Sequence, residues 1–168
     1  MSMGLPPGNW ILNTRDRKRL RQALEDQYGM QGQPEEEVFI QNAKDKVFIA
    51  TRDLEKVPFQ RMRVEAVGLY LGAWQADGFR LSTEGAQLLA PHATKNVVTL
   101  DDEQRHEWLQ GHNLPWTGEG NEFVIVKHRD TGDVLGSGKV RQPREGKDEE
   151  VTLLNYTPKA RQLVVVNE

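Results

Sequence analysis

Histidines are the residues of this sequence with the most versatile chemistry, because imidazole binds metals and transfers protons near neutral pH. The four stand at positions 92, 106, 112 and 128, and no two are spaced one helical turn apart. His106 and His112 are separated by Gly111, which is poor spacing for a shared metal. The sequence contains no cysteine. We therefore expect ordinary surface or boundary histidines rather than ligands, and we predict no metal and no cofactor.

The segment Gly136-Ser137-Gly138-Lys139 is similar to two short catalytic motifs but fulfils neither. A nucleophile elbow needs Gly-x-Ser-x-Gly between a strand and a helix, whereas both flanks here are strand-like. A phosphate-binding loop needs a hydroxyl residue after Gly-Lys, and Val140 stands there instead. Because no set of acid, base and nucleophile can be assembled, the sequence predicts that the chain is not an enzyme.

The 168 residues carry 22 Lys and Arg against 25 Asp and Glu, which gives a net charge of −3. This balance excludes a uniformly basic nucleic-acid binder but allows a local basic patch, because phosphates respond to local potential. The 37% of hydrophobic residues can form a core. No apolar run is long enough for a membrane helix, and residues 1–9 lack a signal-peptide pattern. We expect a cytoplasmic protein without a membrane partner.

A helix is predicted over residues 13–28, because apolar residues recur on one face and Asn13 can cap the start. The apolar stripe consists of Leu20, Leu24 and Tyr28. Cations crowd the first turns, where the helix dipole disfavours positive charge. They are Arg15, Arg17, Lys18, Arg19 and Arg21. The sequence alone leaves open whether they form a solvated face or a functional basic patch.

Strand signals fill most of the remaining chain. Runs at 38–40 and 47–49 predict a hairpin, and residues 64–74 predict a strand with a bulge or a close backbone approach at Gly68 and Gly72. A strand at 79–81 precedes a short helix that ends near residue 89. The second half is predicted to contain a helix from 101 to about 110 and strands at 97–100, 123–126, 134–140, 151–154 and 163–166.

From residue 96 onward, the order of motifs is similar to that of a PUA domain, the small β-barrel of pseudouridine synthases and archaeosine transglycosylases. The first motif of that family, an apolar residue followed by Gly and Leu after a helix, is matched by Leu109, Gly111 and Leu114. The second motif, apolar-Gly-x-Gly at the end of a strand, is matched by the segment Leu135 to Gly138.

The preceding region extends the resemblance. The segments KDKVFIATRDL, VGLYLGAW and GFRLSTEGAQLLAPHA resemble the pre-PUA region of the ribosome-biogenesis factor of the Nip family. They also resemble the C-terminal tail of Nop/Sun type RNA cytosine-5 methyltransferases, whose end is similar to LLNYTPKARQ. This resemblance implies an α+β protein, with a mixed α/β pre-PUA domain at 1–94 and a PUA-type β-barrel domain at 95–168. The catalytic domain of the methyltransferases and its two cysteines have no counterpart here, so the resemblance implies the RNA-binding tail alone.

RNA binding, which this resemblance implies, requires cations on a rigid edge that follows the phosphates. Residues two apart on a strand project to one face, as do Lys139 and Arg141 on the predicted strand. The predicted RNA-binding cations are Lys139, Arg141, Arg144, Lys147, Lys159 and Arg161. Gly111 and Trp116 are predicted to lie beside them, because PUA domains bind RNA between their first helix and a strand edge. Glycine allows close approach of an RNA backbone, and Trp116 is a candidate for base stacking.

We therefore expect a non-catalytic RNA-binding protein in rRNA or tRNA modification or in ribosome biogenesis, with RNA rather than DNA as its partner. Two alternatives remain open. The chain can be a trans-acting targeting subunit of an RNA methyltransferase. It can also be a protein–protein adaptor among ribosome-assembly factors, using the acidic helix at 101–107. On charge alone, the basic residues can simply be solubilising.

Overall fold

A computed structural model describes residues 5–31 and 37–166 of the chain. The first half contains β1 (Asn9–Ile11), α1 (Thr14–Tyr28), β2 (Glu37–Asn42), β3 (Lys46–Thr51), β4 (Leu69–Gln75), β5 (Gly78–Leu81) and α2 (Thr83–Leu89). The second half contains β6 (Val97–Leu100), α3 (Asp102–Leu109), β7 (Leu114–Pro115), β8 (Phe123–His128), β9 (Val134–Arg141) and β10 (Thr152–Asn155). Short 3₁₀ turns lie at Arg52–Lys56, Phe59–Arg61, Ala90–His92 and Lys159–Arg161. None of the helices in these ranges has the length and apolar character to span a membrane.

Local sequence signals account for α1. The side chain of Asn13 accepts a hydrogen bond of 2.9 Å from the backbone N–H of Asp16, which satisfies one free donor at the helix start. Gly29 ends the helix in the left-handed conformation, with φ of +67°. The predicted stripe of Leu20, Leu24 and Tyr28 is confirmed, because all three side chains are buried.

The first sheet has the strand order β1-β2-β3-β4-β5, and every neighbouring pair is antiparallel. The predicted hairpin is formed by β2 and β3. The strand predicted over 64–74 is wrong at its start, because residues 64–68 are not in a strand and β4 begins at Leu69. Its bulge falls at Leu71, next to Gly72 and between the partners of Val47 and Phe48. One face of the sheet is covered by α1 and α2. The other face packs against residues from the segment between β3 and β4, among them Phe59 and Val67.

The second sheet has the order β6-β8-β9-β10-β7, in which β6 and β8 are parallel and the other pairs are antiparallel. Helix α3 begins with a capping box, in which the side chains of Asp101 and Gln104 each accept from the other's backbone N–H. Its Trp108 is fully buried in the core of this half. The result is a mixed α/β fold with curled sheets.

The sequence prediction of a strand at 163–166 is wrong. The backbone N–H of Leu163 donates to the carbonyl of Leu109 at 2.8 Å, but residues 163–166 have no strand partner and are exposed. A run of apolar β-branched residues favours a strand only where a sheet edge is available. Here β7 takes that edge beside β10. The short strands β1 and β7 were not predicted from the sequence.

The two sheets share one hydrophobic core. Phe123 and Ile125 of β8 belong to the same buried cluster as Leu20 and Leu24 of α1. The hydroxyl of Ser137, on β9, donates to the carbonyl of Leu81, on β5, at 2.5 Å and connects the two halves where both are buried. The predicted division into domains at residues 94 and 95 stays a prediction, but the two halves are packed together.

We predict that Ser137→Ala lowers the free energy of unfolding by about 1–2 kcal/mol, because the buried Leu81 carbonyl loses its side-chain donor. Urea denaturation followed by tryptophan fluorescence measures the effect. The matched control is Thr99→Ala on the exposed face of β6, which we expect to change stability by less than about 0.5 kcal/mol. Equal effects of the two substitutions would contradict the connecting role of Ser137.

Candidate nucleic-acid interface

Lys139 lies in the middle of β9 and points toward the first sheet. Its ammonium group forms an ion pair with Asp77, in the turn between β4 and β5, and lies 5.0 Å from the ring centroid of Phe123. Its side chain is 17% exposed. The hydrogen bond from Lys139 is the main cause that lowers the pKa of Asp77. Lys139 therefore connects the two halves of the chain, and its predicted contact with RNA stays a prediction.

Three of the predicted cations lie where β9 ends and the loop to β10 begins. The guanidinium of Arg144 donates to Glu149 at 2.7 Å, and this hydrogen bond lowers the pKa of the Glu149 carboxyl group. Arg141 and Lys147 are exposed, and neither has an ion-pair partner in the part of the chain that the structure describes. This end of the hairpin therefore presents mixed charge.

Lys159 and Arg161 lie at the opposite end of the same hairpin, beyond residue 155. They were expected to share a face before a final strand, and this geometry is wrong. They occupy a 3₁₀ turn, in which residues two apart point in different directions. Arg161 forms an ion pair with Glu84 of α2, whereas Lys159 is exposed. The predicted cations thus form two groups at the two ends of the hairpin, with Lys139 between them.

Gly111 does not offer the open backbone that the sequence interpretation assumed. Its φ is +89°, and a Cβ atom there would collide with the side chain of Gln162. The amide of Gln162 donates to the carbonyl of Thr157 at 3.1 Å, so the C-terminal segment covers this glycine. Gly111 is required for the turn after α3, and its predicted role as an RNA contact lacks the expected space.

Trp116 is half-buried against the core of the second half. Its backbone N–H donates to the carbonyl of Val151 at 2.9 Å, which fixes it beside β10. The surface groove that it lines also contains Glu149 and Glu150. Two carboxylates in the same groove weaken the attraction for an RNA phosphate there. Stacking on Trp116 stays a prediction.

A surface cleft between the two halves brings together several residues of which the sequence interpretation had singled out only Arg161 for RNA binding. It is lined by polar residues of the first half (Tyr70, Arg80, Ser82, Thr83 and the carboxylate Glu84, which pairs with Arg161) and by Tyr156 and Arg161 from the second. The guanidinium of Arg80 lies over the ring of Tyr156, with Cζ 4.8 Å from the centroid. Cations, aromatic faces and hydroxyl groups in one cleft are the combination that binds single-stranded nucleic acid.

The secondary structure positions these side chains. Ser82 caps α2, since its hydroxyl accepts from the N–H of Gly85 at 2.9 Å and donates to the carbonyl of Tyr70 at 2.5 Å. These bonds join the start of α2 to β4. Arg80 and Tyr156 are far apart in the chain, and no local motif connects them. The sequence signal for this cleft was therefore limited to Arg161, which had already been singled out.

His128 is buried and does not have the ordinary surface or boundary position expected for the histidines. Its Nε2 lies 2.9 Å from Asp102 and its Nδ1 lies 2.9 Å from the hydroxyl of Thr131. Ligand atoms of His128, Asp102 and Asp130 lie within 4.8 Å of one another. Because both nitrogens of His128 are already hydrogen-bonded, the arrangement fits a connection between α3 and the turn after β8 better than a metal site.

The fold is similar to that of a PUA domain. The crystal structure of a PUA domain from Aeropyrum pernix K1, in complex with tartrate, superposes with a TM-score of 0.50 at 16% sequence identity. The match covers 79% of this chain and 71% of that one. The resemblance to PUA domains stated from the sequence is therefore confirmed at the level of the fold.

Among curated proteins, the chain is similar to the ribosomal RNA small subunit methyltransferase F of Aeromonas salmonicida (strain A449). The two are 31% identical over 80 residues. This stretch is 47% of the chain but 16% of the methyltransferase. The resemblance to RNA methyltransferases is thus supported for a small part of that enzyme's length. No family model matches the chain.

We predict that the Asp77–Lys139 ion pair makes stability depend on pH in the acid range. The folded pKa of Asp77 is lowered, so its contribution is present above the unfolded pKa of about 3.9 and is lost as pH falls through the folded value. Since the Asp77 side chain is 50% exposed, the contribution should be below about 1 kcal/mol. Urea midpoints at pH 6 and pH 3 should therefore differ less for Asp77→Asn than for the wild type. In a Lys139→Gln background, Asp77→Asn should no longer change the pH dependence of the urea midpoint. If it still reduced that dependence, the result would contradict the ion pair.

Proposed function

We propose that the protein binds RNA and acts in RNA modification, holding the RNA in the cleft between its two halves. The cleft residues Arg80, Tyr156, Tyr70 and Arg161 are the observation that carries the proposal. Arginine can contact phosphates or stack on bases, and tyrosine offers a face to unpaired bases. The PUA-like fold and the similarity to a ribosomal RNA methyltransferase support RNA as the ligand.

The role is proposed to be non-catalytic. The residues that line the cleft include Ser82 and Thr83, but Ser82 is committed to capping α2, and no histidine lines the cleft. A nucleophile would need an adjacent free base, and the one carboxylate among the described residues that line the cleft, Glu84, is ion-paired with Arg161. The chain would thus supply affinity for RNA, while a partner performs the chemistry.

The RNA is proposed to be rRNA or tRNA, and the partner to be an RNA methyltransferase or another ribosome-assembly factor, in the cytoplasm. The similarity to ribosomal RNA small subunit methyltransferase F motivates this choice. The matched stretch is only 16% of that enzyme, so we propose that the chemistry lies in a separate protein. A protein with the RNA-binding part alone can deliver RNA to an enzyme in trans. Co-purification of such an enzyme with the chain, resistant to ribonuclease, would support this arrangement.

A protein–protein adaptor is the second candidate, and α3 is the surface that favours it. The first turn of this helix carries the exposed carboxylates of Asp102 and Glu103, and Glu107 follows one turn later. An acidic helix attracts a basic protein surface rather than RNA. RNA binding and adaptor function use different faces, so they are separable by mutation.

We predict that the double substitution Arg80→Gln and Arg161→Gln weakens binding to a structured RNA by roughly tenfold, because two phosphate or base contacts are lost. Fluorescence anisotropy with a labelled RNA hairpin that carries a single-stranded extension, between 50 and 300 mM salt, measures both the affinity and its salt dependence. The slope of log affinity against log salt should also decrease.

Two further double variants each remove two positive charges from surfaces outside the cleft. Arg141→Gln with Lys147→Gln tests the loop end of the hairpin, and Lys44→Gln with Lys95→Gln is the control on exposed lysines away from the cleft. Equal weakening in all three would indicate only a general charge effect and contradict the cleft. Failure of the wild-type protein to bind RNA at low salt would overturn the proposed function itself.

A further inference from the structure

A second basic cleft lies on the first half, against helix α1. It is lined by Thr14, Arg17, Lys18, Arg21 and Arg52. The four α1 residues are spaced by three, four and seven positions, so they form one stripe along the helix. This stripe lies next to the apolar stripe that begins with Leu20. Arg17 and Arg21 are therefore half-buried, at the border between core and solvent.

The arginines of this stripe hold guanidinium nitrogens that neither solvent nor protein satisfies. Nε of Arg17 and both Nε and Nη2 of Arg21 are inaccessible to water and have no hydrogen-bond partner. Within residues 5–31 and 37–166, no carboxylate forms an ion pair with Arg17, Lys18 or Arg21. By contrast, Arg19 on another side of the helix lies over the ring of Trp74, 4.4 Å from the centroid.

Three physical costs therefore meet at this cleft. Unpaired donors out of water are unfavourable, like charges one turn apart repel each other, and cations near a helix start oppose the helix dipole. A solvated basic face would avoid the first cost, since its nitrogens would be hydrated. An anion in the cleft would offset the second and third costs, because Lys18 and the guanidinium nitrogens of Arg17 and Arg21 that remain accessible can bind phosphate through charge-assisted hydrogen bonds.

We propose that the α1 cleft binds phosphate groups of the RNA backbone, as a contact separate from the cleft between the two halves. This inference rests on the proposed RNA-binding function. Arg17 and Arg21 are four residues apart, about 6 Å along the helix axis, and can serve successive anionic groups of one strand. Thr14 adds a hydroxyl donor and Lys18 adds a flexible cation.

The position of the cleft suits a continuous RNA path. Arg52 directly follows β3, and Gly68, which lines the cleft between the halves, lies against the carbonyl of Ile49 on the same strand. Both clefts are therefore near the end of the first sheet at which β3 ends and β4 begins.

The test compares the double variant Arg17→Gln and Arg21→Gln with Arg15→Gln and Lys44→Gln, which removes two exposed cations from outside the cleft. For a labelled RNA hairpin with a single-stranded extension, the first variant should bind roughly tenfold more weakly, and its salt slope should be smaller by roughly 1.5. The control should retain wild-type affinity within about twofold. Arg17→Lys with Arg21→Lys should recover only part of the affinity, since lysine lacks the paired donors.

Thermal unfolding with and without inorganic phosphate is the second measurement, and it does not need RNA. Phosphate should raise the midpoint of the wild type and of the Arg15/Lys44 control, and the Arg17/Arg21 variant should lose this increase. RNA affinity unchanged in the Arg17/Arg21 variant would overturn the inference while leaving the proposed function intact. Stabilisation by phosphate in a protein that binds no RNA would overturn the proposed function and the assignment of this cleft to RNA, leaving an anion site of another kind.

Discussion

Packing between the two sheets is the constraint on which the rest of the structure depends. Phe123 and Ile125 of the second sheet complete the core under α1, and Ser137 donates to the carbonyl of Leu81 within it. Buried apolar area supplies most of the stability, while the hydrogen bond fixes how the sheets are aligned. Both candidate RNA surfaces depend on that alignment. The cleft between the halves exists only where Arg80 meets Tyr156, and α1 is held in place by the same core.

An acidic protein can present basic surfaces when its charges are unevenly paired. With a net charge of −3, the chain has enough carboxylates to neutralise its cations, but only some cations on and beside the β9–β10 hairpin have carboxylate partners. Lys139, Arg144 and Arg161 each have a carboxylate partner there. Among the described residues, Arg141 and Lys147 at the loop end of the hairpin have none, and neither have Arg17 and Arg21 of the α1 stripe. Local pairing, rather than total charge, therefore decides where a phosphate is attracted.

Local signals in the sequence predicted most helices and strands, but they did not predict the contacts between side chains that are far apart in the chain. The stripe of α1, the cap at Asn13, the hairpin of β2 and β3 and the capped start of α3 all follow from residues within one element. The final strand was mispredicted, because whether an apolar run pairs depends on a free sheet edge. Lys139 was correctly placed on a strand, but Asp77 is 62 residues away, and nothing local indicates that the two side chains meet. The site was accordingly predicted as one row of cations, whereas the structure divides that row between two ends.

The cations on and beside the hairpin differ in how easily each can leave its carboxylate partner for a phosphate. Arg161 and Glu84 form a pair in which the arginine is 51% exposed, and exposed pairs contribute only about 0–1 kcal/mol. A phosphate can therefore replace Glu84 at small cost. Lys139 is far less exposed, and its ammonium also contacts Phe123, so moving it would disturb the junction of the sheets. Arg161, like the more exposed Arg144, can thus exchange its carboxylate for an RNA phosphate, whereas Lys139 is better suited to hold the cleft in shape. Arg17 and Arg21 of α1 have no carboxylate partner among the described residues, so a phosphate can contact them without displacing a carboxylate.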